Sequence, residues 1–65
     1  MHKAIFYKVK VEAGNENETS LFDTSDIIEF NTEEYSIKGA IEEDLRRTFG
    51  DVVISFSVLD ARSLI

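Results

Sequence analysis

Apolar residues alternate strictly at the start of the chain. Across residues 3–11 (KAIFYKVKV), Ile5, Tyr7, Val9 and Val11 fall on one side, and Ala4, Phe6, Lys8 and Lys10 on the other. A period of two over that length predicts a half-buried strand. Residues 12–20 (EAGNENETS) contain no large apolar side chain. With nothing to bury, they predict a solvated acidic loop. Leu21 and Phe22, and then Ile27, Ile28 and Phe30, bring apolar residues back with a polar stretch between them, which predicts a short strand ending near residue 30.

The period then changes. Asn31 offers a capping side chain, Glu34 follows at the reciprocal capping position, and Ile37, Ile41, Leu45 and Phe49 recur at four-residue spacing. This pattern predicts an amphipathic helix over residues 32–49. Gly50 stands where a left-handed cap is wanted, and Arg46 and Arg47 suit the negative end of the helix dipole. Gly39 lies off the apolar stripe, either to admit another backbone or as a tolerated imperfection, and Tyr35 reads as a half-buried edge of the core or as an aromatic anchor. From residue 52 to 60, Val52, Ile54, Phe56 and Val58 alternate against Val53, Ser55, Ser57 and Leu59, predicting a second long strand. Residues 61–65 form a tail that continues this strand, folds over the sheet or frays.

The order β-β-α-β predicts an α+β class: one small domain over residues 1–65, with a three-stranded, mainly antiparallel sheet and one helix packed on one face. A right-handed crossover makes the short strand and the last strand run parallel, with the first strand antiparallel to both. Matching lengths pair the first strand with the last and leave the short one at an edge. The helix is expected over Ile5, Tyr7, Val9, Ile54, Phe56 and Val58. The opposite face then carries Phe6, Val53 and Leu59 among Lys8, Lys10, Ser55 and Ser57.

The chain has 65 residues, 43% of them hydrophobic, no cysteine and no proline. At that length a domain buries only about 60% of the surface its unfolded chain exposes, so self-association would help it. The lack of cysteine removes disulfides and thiolate chemistry and fits a reducing, cytoplasmic setting. No apolar run approaches the roughly 18 residues of a membrane span, so no membrane contact is expected.

Charge is unevenly placed. The net charge is −6, made of +3 over residues 1–11, −10 over residues 12–44 and +1 over residues 45–65. Within the helix, Glu34–Lys38, Glu42–Arg46 and Glu43–Arg47 are glutamate-first pairs four apart and read as structural. Asp44 has no such explanation. Glu12, Glu16, Glu18, Asp23, Asp26 and Glu29 lie outside the helix with no basic neighbour in sequence. Either they keep a small domain in solution, or they form a binding surface.

Catalytic chemistry finds little support. The one histidine, His2, is terminal, no serine sits in a nucleophile elbow, and the glycines form no phosphate-binding loop. Glu33-Glu34 and Glu42-Glu43-Asp44 would need a cleft that splits their pKa values before they could divide acid and base roles. Residues 15–26 echo a calcium loop but place Ser20 where its glycine belongs and Asp26 where its glutamate belongs. Asn17-Glu18-Thr19 is a glycosylation acceptor pattern without a secretory signal. No catalytic residue, metal or cofactor is expected.

The expected function is therefore a small, acidic, non-enzymatic binding module. Its acidic patch, Glu16, Glu18, Asp23, Asp26, Glu29 and Asp44, would occupy a basic surface on a larger protein, such as a nucleic-acid-processing enzyme, in the manner of a phage-encoded inhibitor. The alternative is a homodimer, through the open face at Phe6, Val53 and Leu59 or through the last-strand edge. A sheet face binding single-stranded nucleic acid through Phe6, Lys8 and Lys10 is disfavoured by the net charge, and an enzyme by the missing catalytic set.

Overall fold

In the computed structural model, which describes residues 1–64, the chain forms strand β1 (His2–Gly14), strand β2 (Thr19–Asn31), helix α1 (Ile37–Phe49), a single 3-10 turn and strand β3 (Val53–Ser63). The sheet order is β2-β1-β3, and both outer strands run antiparallel to β1. β2 and β3 thus run in one direction with β1 between them, as the crossover requires. The alternation in β1 places Ile5, Tyr7, Val9, Val11 and Ala13 under the helix, all buried. Ala40, Ile41 and Leu45 of α1 close over them, and Phe22 meets Phe49 edge-to-face with ring centroids 5.3 Å apart.

The expected loop over residues 12–20 shrinks to the turn 15–18. Asn15 Oδ1 accepts the backbone N–H groups of Asn17 (2.9 Å) and Glu18 (3.1 Å), and the Asn15 N–H donates to the Glu18 carbonyl (2.8 Å). An asparagine side chain that satisfies the turn in this way lets both strands run up to it. Gly14 enters the turn with φ +148°, where a Cβ would stand 2.1 Å from the Glu18 carbonyl oxygen. β2 is therefore not short. It has thirteen residues in continuous register with β1, from His2 opposite Asn31 to Gly14 opposite Thr19. Its apolar alternation is broken because Thr24 and Asp26 occupy helix-side positions between Phe22 and Ile28.

The helix also starts later than expected. Asn31 ends β2, and its Oδ1 accepts the Glu33 N–H at 3.0 Å in a turn. The helix cap is Ser36, whose Oγ accepts the Gly39 N–H at 3.0 Å. A Cβ on Gly39 would lie 3.1 Å from that Oγ, so the glycine leaves room for the capping hydroxyl. At the other end Gly50, at φ +77°, caps the helix and donates its N–H to the Arg46 carbonyl.

β3 departs furthest from simple alternation. Its register with β1 slips twice, so that Ser55 faces Glu12 while Val53 faces Ala13, and Asp60 faces Lys8 while Val58 faces Val9. Ile54 and Leu59 are the extra residues of these bulges. The first slip reverses the parity that the sequence implied before residue 55, and the second reverses it beyond residue 59. Val53 is buried in the core rather than on the open face, and Ile54, expected under the helix, is 53% exposed. Phe56 and Val58 keep the expected helix-side register opposite Val11 and Val9, Val58 at 45% exposure. Residues 61–63 continue the strand, and the Leu64 N–H donates to the Ala4 carbonyl at 3.0 Å. Ile65 lies outside the described residues.

Candidate interaction site

β2 is an edge strand thirteen residues long, and its charged side chains are all acidic: Asp23, Asp26 and Glu29. Asp23 and Glu29 stand on the open face, opposite Lys10 and Ala4 of β1. Asp26 stands on the helix side, opposite Tyr7. Glu16 and Glu18 extend the series at the hairpin tip. All five side chains are exposed, and among the described residues none is held in an ion pair. The backbone register brings together what the sequence left scattered: one rim of a molecule 41 Å long carries these acids along the strand and around its tip.

Asp44 does not belong to that rim. It is 8% exposed, and the Tyr7 hydroxyl donates to its Oδ2 at 2.6 Å. Removal from water pushes the Asp44 carboxyl above its ordinary range, and the hydrogen-bonding contact and charge of Asp26 push the same way. The Tyr7 bond and the Arg47 guanidinium oppose the shift. Burial, together with the same bond, raises the Tyr7 hydroxyl well above its ordinary range. Asp44, expected in the acidic patch, is instead buried, and its carboxylate satisfies the Tyr7 hydroxyl on the helix side of the sheet. Two signals in the sequence pointed this way. Tyr7 lies on the apolar side of β1, and Asp44 follows Ile41 by three residues, on the buried side of the helix.

Beside this pair, a groove of about 270 Å³ runs between β2 and α1, lined in part by His2, Phe30, Tyr35, Glu43, Asp44 and Arg47. Its exposed acids, Glu29, Glu34 and Glu43, continue the acidic rim onto the helix. Of the glutamate-first helix pairs, Glu42–Arg46 closes at 3.2 Å, while Glu34–Lys38 and Glu43–Arg47 form no ion pair among the described residues. Glu34 and Glu43 are thus left to the groove.

The open face does not form a basic stripe. Phe6, Lys8 and Lys10 are there, but Ile27, Asp23, Asp60 and Arg62 stand beside them across the strands. Of the expected oligomer residues, Phe6 is on this face, Val53 is in the core and Leu59 is a half-exposed bulge residue. Among the described residues no three His, Cys, Asp or Glu side chains are grouped to hold a metal ion, and no helix is long and apolar enough to cross a membrane. Compared with known protein families, curated proteins and solved structures, the chain matches none.

Proposed function

We propose that this protein is a non-enzymatic binding module whose β2 edge, with Glu16 and Glu18 at its tip, seats on a basic surface of a larger protein that handles nucleic acid, and blocks that surface. The observation that supports this reading is the state of Asp23, Asp26 and Glu29: three acids on an edge strand that carries no base, with no second strand on their side and no ion pair to any of them among the described residues. Exposed acids without an ion-pair partner steer a basic partner and repel acidic ones. Residues three apart on a strand lie roughly 10 Å from one another. This is far sparser than the one charge per about 1.7 Å of duplex DNA, so the rim supplies a few placed contacts rather than a copy of the phosphate backbone. The groove next to it, bordered by Glu34, Glu43 and Tyr35, gives a basic side chain of the partner somewhere to insert.

The test compares the immobilised wild type with a variant carrying Glu16→Gln, Glu18→Gln, Asp23→Asn, Asp26→Asn and Glu29→Gln in a lysate of the cell that makes it, at low and moderate salt. The expected result is a basic protein held by the wild type alone, released by salt and displaced by added duplex DNA. Equal capture by both proteins, or a complex indifferent to salt, overturns the reading.

A further inference from the structure

We propose that the outer edge of β3 pairs with β3 of a second copy of this chain, antiparallel about a two-fold axis at Ala61, so that Asp60 of each copy faces Arg62 of the other. This inference is independent of the acidic-rim reading, because it uses the opposite edge of the sheet.

The inner edge of β3 is hydrogen-bonded to β1 as far as Leu64, while no strand among the described residues pairs with its outer edge. An open edge is a template for another strand. At β2 an identical chain would bring Asp23, Asp26 and Glu29 against their own copies. The only charged residues of β3 are Asp60 and Arg62, which cancel. Both stand on the open face, opposite Lys8 and Phe6, and their side chains are bridged at 2.9 Å.

This spacing is self-complementary. A two-fold axis that sets Ala61 opposite its own copy sets residue 60 opposite residue 62, so two bridged pairs close into a square of alternating charge. Isologous contacts require this kind of match of a surface with itself, and an unrelated partner would supply it only by coincidence. The bulges at Ile54 and Leu59 fall outside residues 60–64, which leaves that segment regular enough to pair. Val58 and Leu59 precede it and Leu64 ends it, at 45%, 51% and 50% exposure, large apolar side chains that a second copy would cover. The product is one six-stranded sheet with both helices on the same face. Its two acidic rims lie at the outer edges, roughly 24 Å apart across the five strand spacings.

Analytical ultracentrifugation of the full chain over a micromolar to millimolar range tests this. The wild type is expected to dimerise, and Asp60→Arg or Arg62→Asp alone to weaken the dimer about tenfold or more. An equimolar mixture of the two single variants should form a heterodimer, since an all-positive edge then meets an all-negative one. The double variant Asp60→Arg/Arg62→Asp should recover the homodimer. Leu64→Lys, at the half-exposed end of the strand, provides a second break if either charge variant fails to fold by circular dichroism. A wild type that stays monomeric at millimolar concentration overturns the proposal. So does a dimer that both charge reversals, or Leu64→Lys in their place, leave intact.

Discussion

β2 and β3 flank the same central strand, yet β2 carries three acids and no base in thirteen residues, while β3 carries one of each and several half-exposed apolar side chains. A small sheet with two open edges has to keep both from pairing indiscriminately. Here the two are handled differently. Like charge excludes copies from β2, whereas two bulges narrow the regular part of β3 to a few residues with a self-complementary charge pattern. Under the function proposed above, the same acids that repel a copy of β2 would hold a basic partner, so that edge protection and recognition would be one property of that strand.

The largest expected effect removes the shared support of both edges. Ile41 is fully buried between helix and sheet, and Ile41→Ala should cost about 2–5 kcal/mol, close to the whole stability of a domain this size. Urea denaturation followed by circular dichroism measures it. A more selective break is Gly14→Ala, which forces a Cβ toward the Glu18 carbonyl at a positive φ and should cost about 2 kcal/mol. Hydrogen exchange should show the loss concentrated in the β1–β2 hairpin, with β3 amides spared.

Tyr7→Phe leaves the buried Asp44 carboxylate without its donor and should cost about 1–3 kcal/mol at neutral pH. The pH dependence of stability reads the same pair. Between the ordinary aspartate pKa of about 3.9 and the raised value of folded Asp44, the folded chain keeps a proton that the unfolded chain has released. The contribution of Asp44 is therefore fully present below about pH 3.9 and is lost as pH rises through its folded pKa. Asp44→Asn keeps an acceptor for Tyr7 and should remove this falling component. Its advantage over the wild type should be largest above that window, in denaturation curves at several pH values. The smallest effect on stability comes from Asp23→Asn with Glu29→Gln on the exposed edge, within about 0.5 kcal/mol. That variant should nevertheless begin to self-associate through β2, seen as concentration-dependent light scattering when β3 is blocked by Asp60→Arg.

Much of the fold was legible in the sequence because β1 and the helix announce themselves by a single period each. The two elements and the Gly50 cap follow from such local signals. The pairing of β1 with β3 and the edge position of β2 match the expectation, although the lengths it rested on do not, since β2 is as long as β1 and longer than β3. The helix start differs from the expected residue 32 because Asn31 and Ser36 can each cap a following segment, and only the end of β2 decides between them. The length of β2 is not legible because a polar stretch separates Leu21 and Phe22 from Ile27, Ile28 and Phe30. Thr24 and Asp26 belong to that stretch, and pairing with β1 holds them in the ladder regardless. Bulges in β3 leave no local trace, since Ile54 and Leu59 resemble any strand residue. One extra residue nevertheless turns Val53 inward and Ile54 outward. The acids of the rim are visible as a charge imbalance, and the withdrawal of Asp44 is signalled only by its place three residues after Ile41 and by Tyr7 on the apolar side of β1. That Asp23, Asp26 and Glu29 line one edge depends on the pairing register.

Amide hydrogen exchange by NMR, followed residue by residue as protein concentration rises, addresses both edges in one measurement. The contrast between them predicts that outward-facing amides of β3 around residues 60–64 gain protection with concentration while those of β2 exchange at an unchanged rate. Protection that grows at β2, or at neither edge, would contradict it.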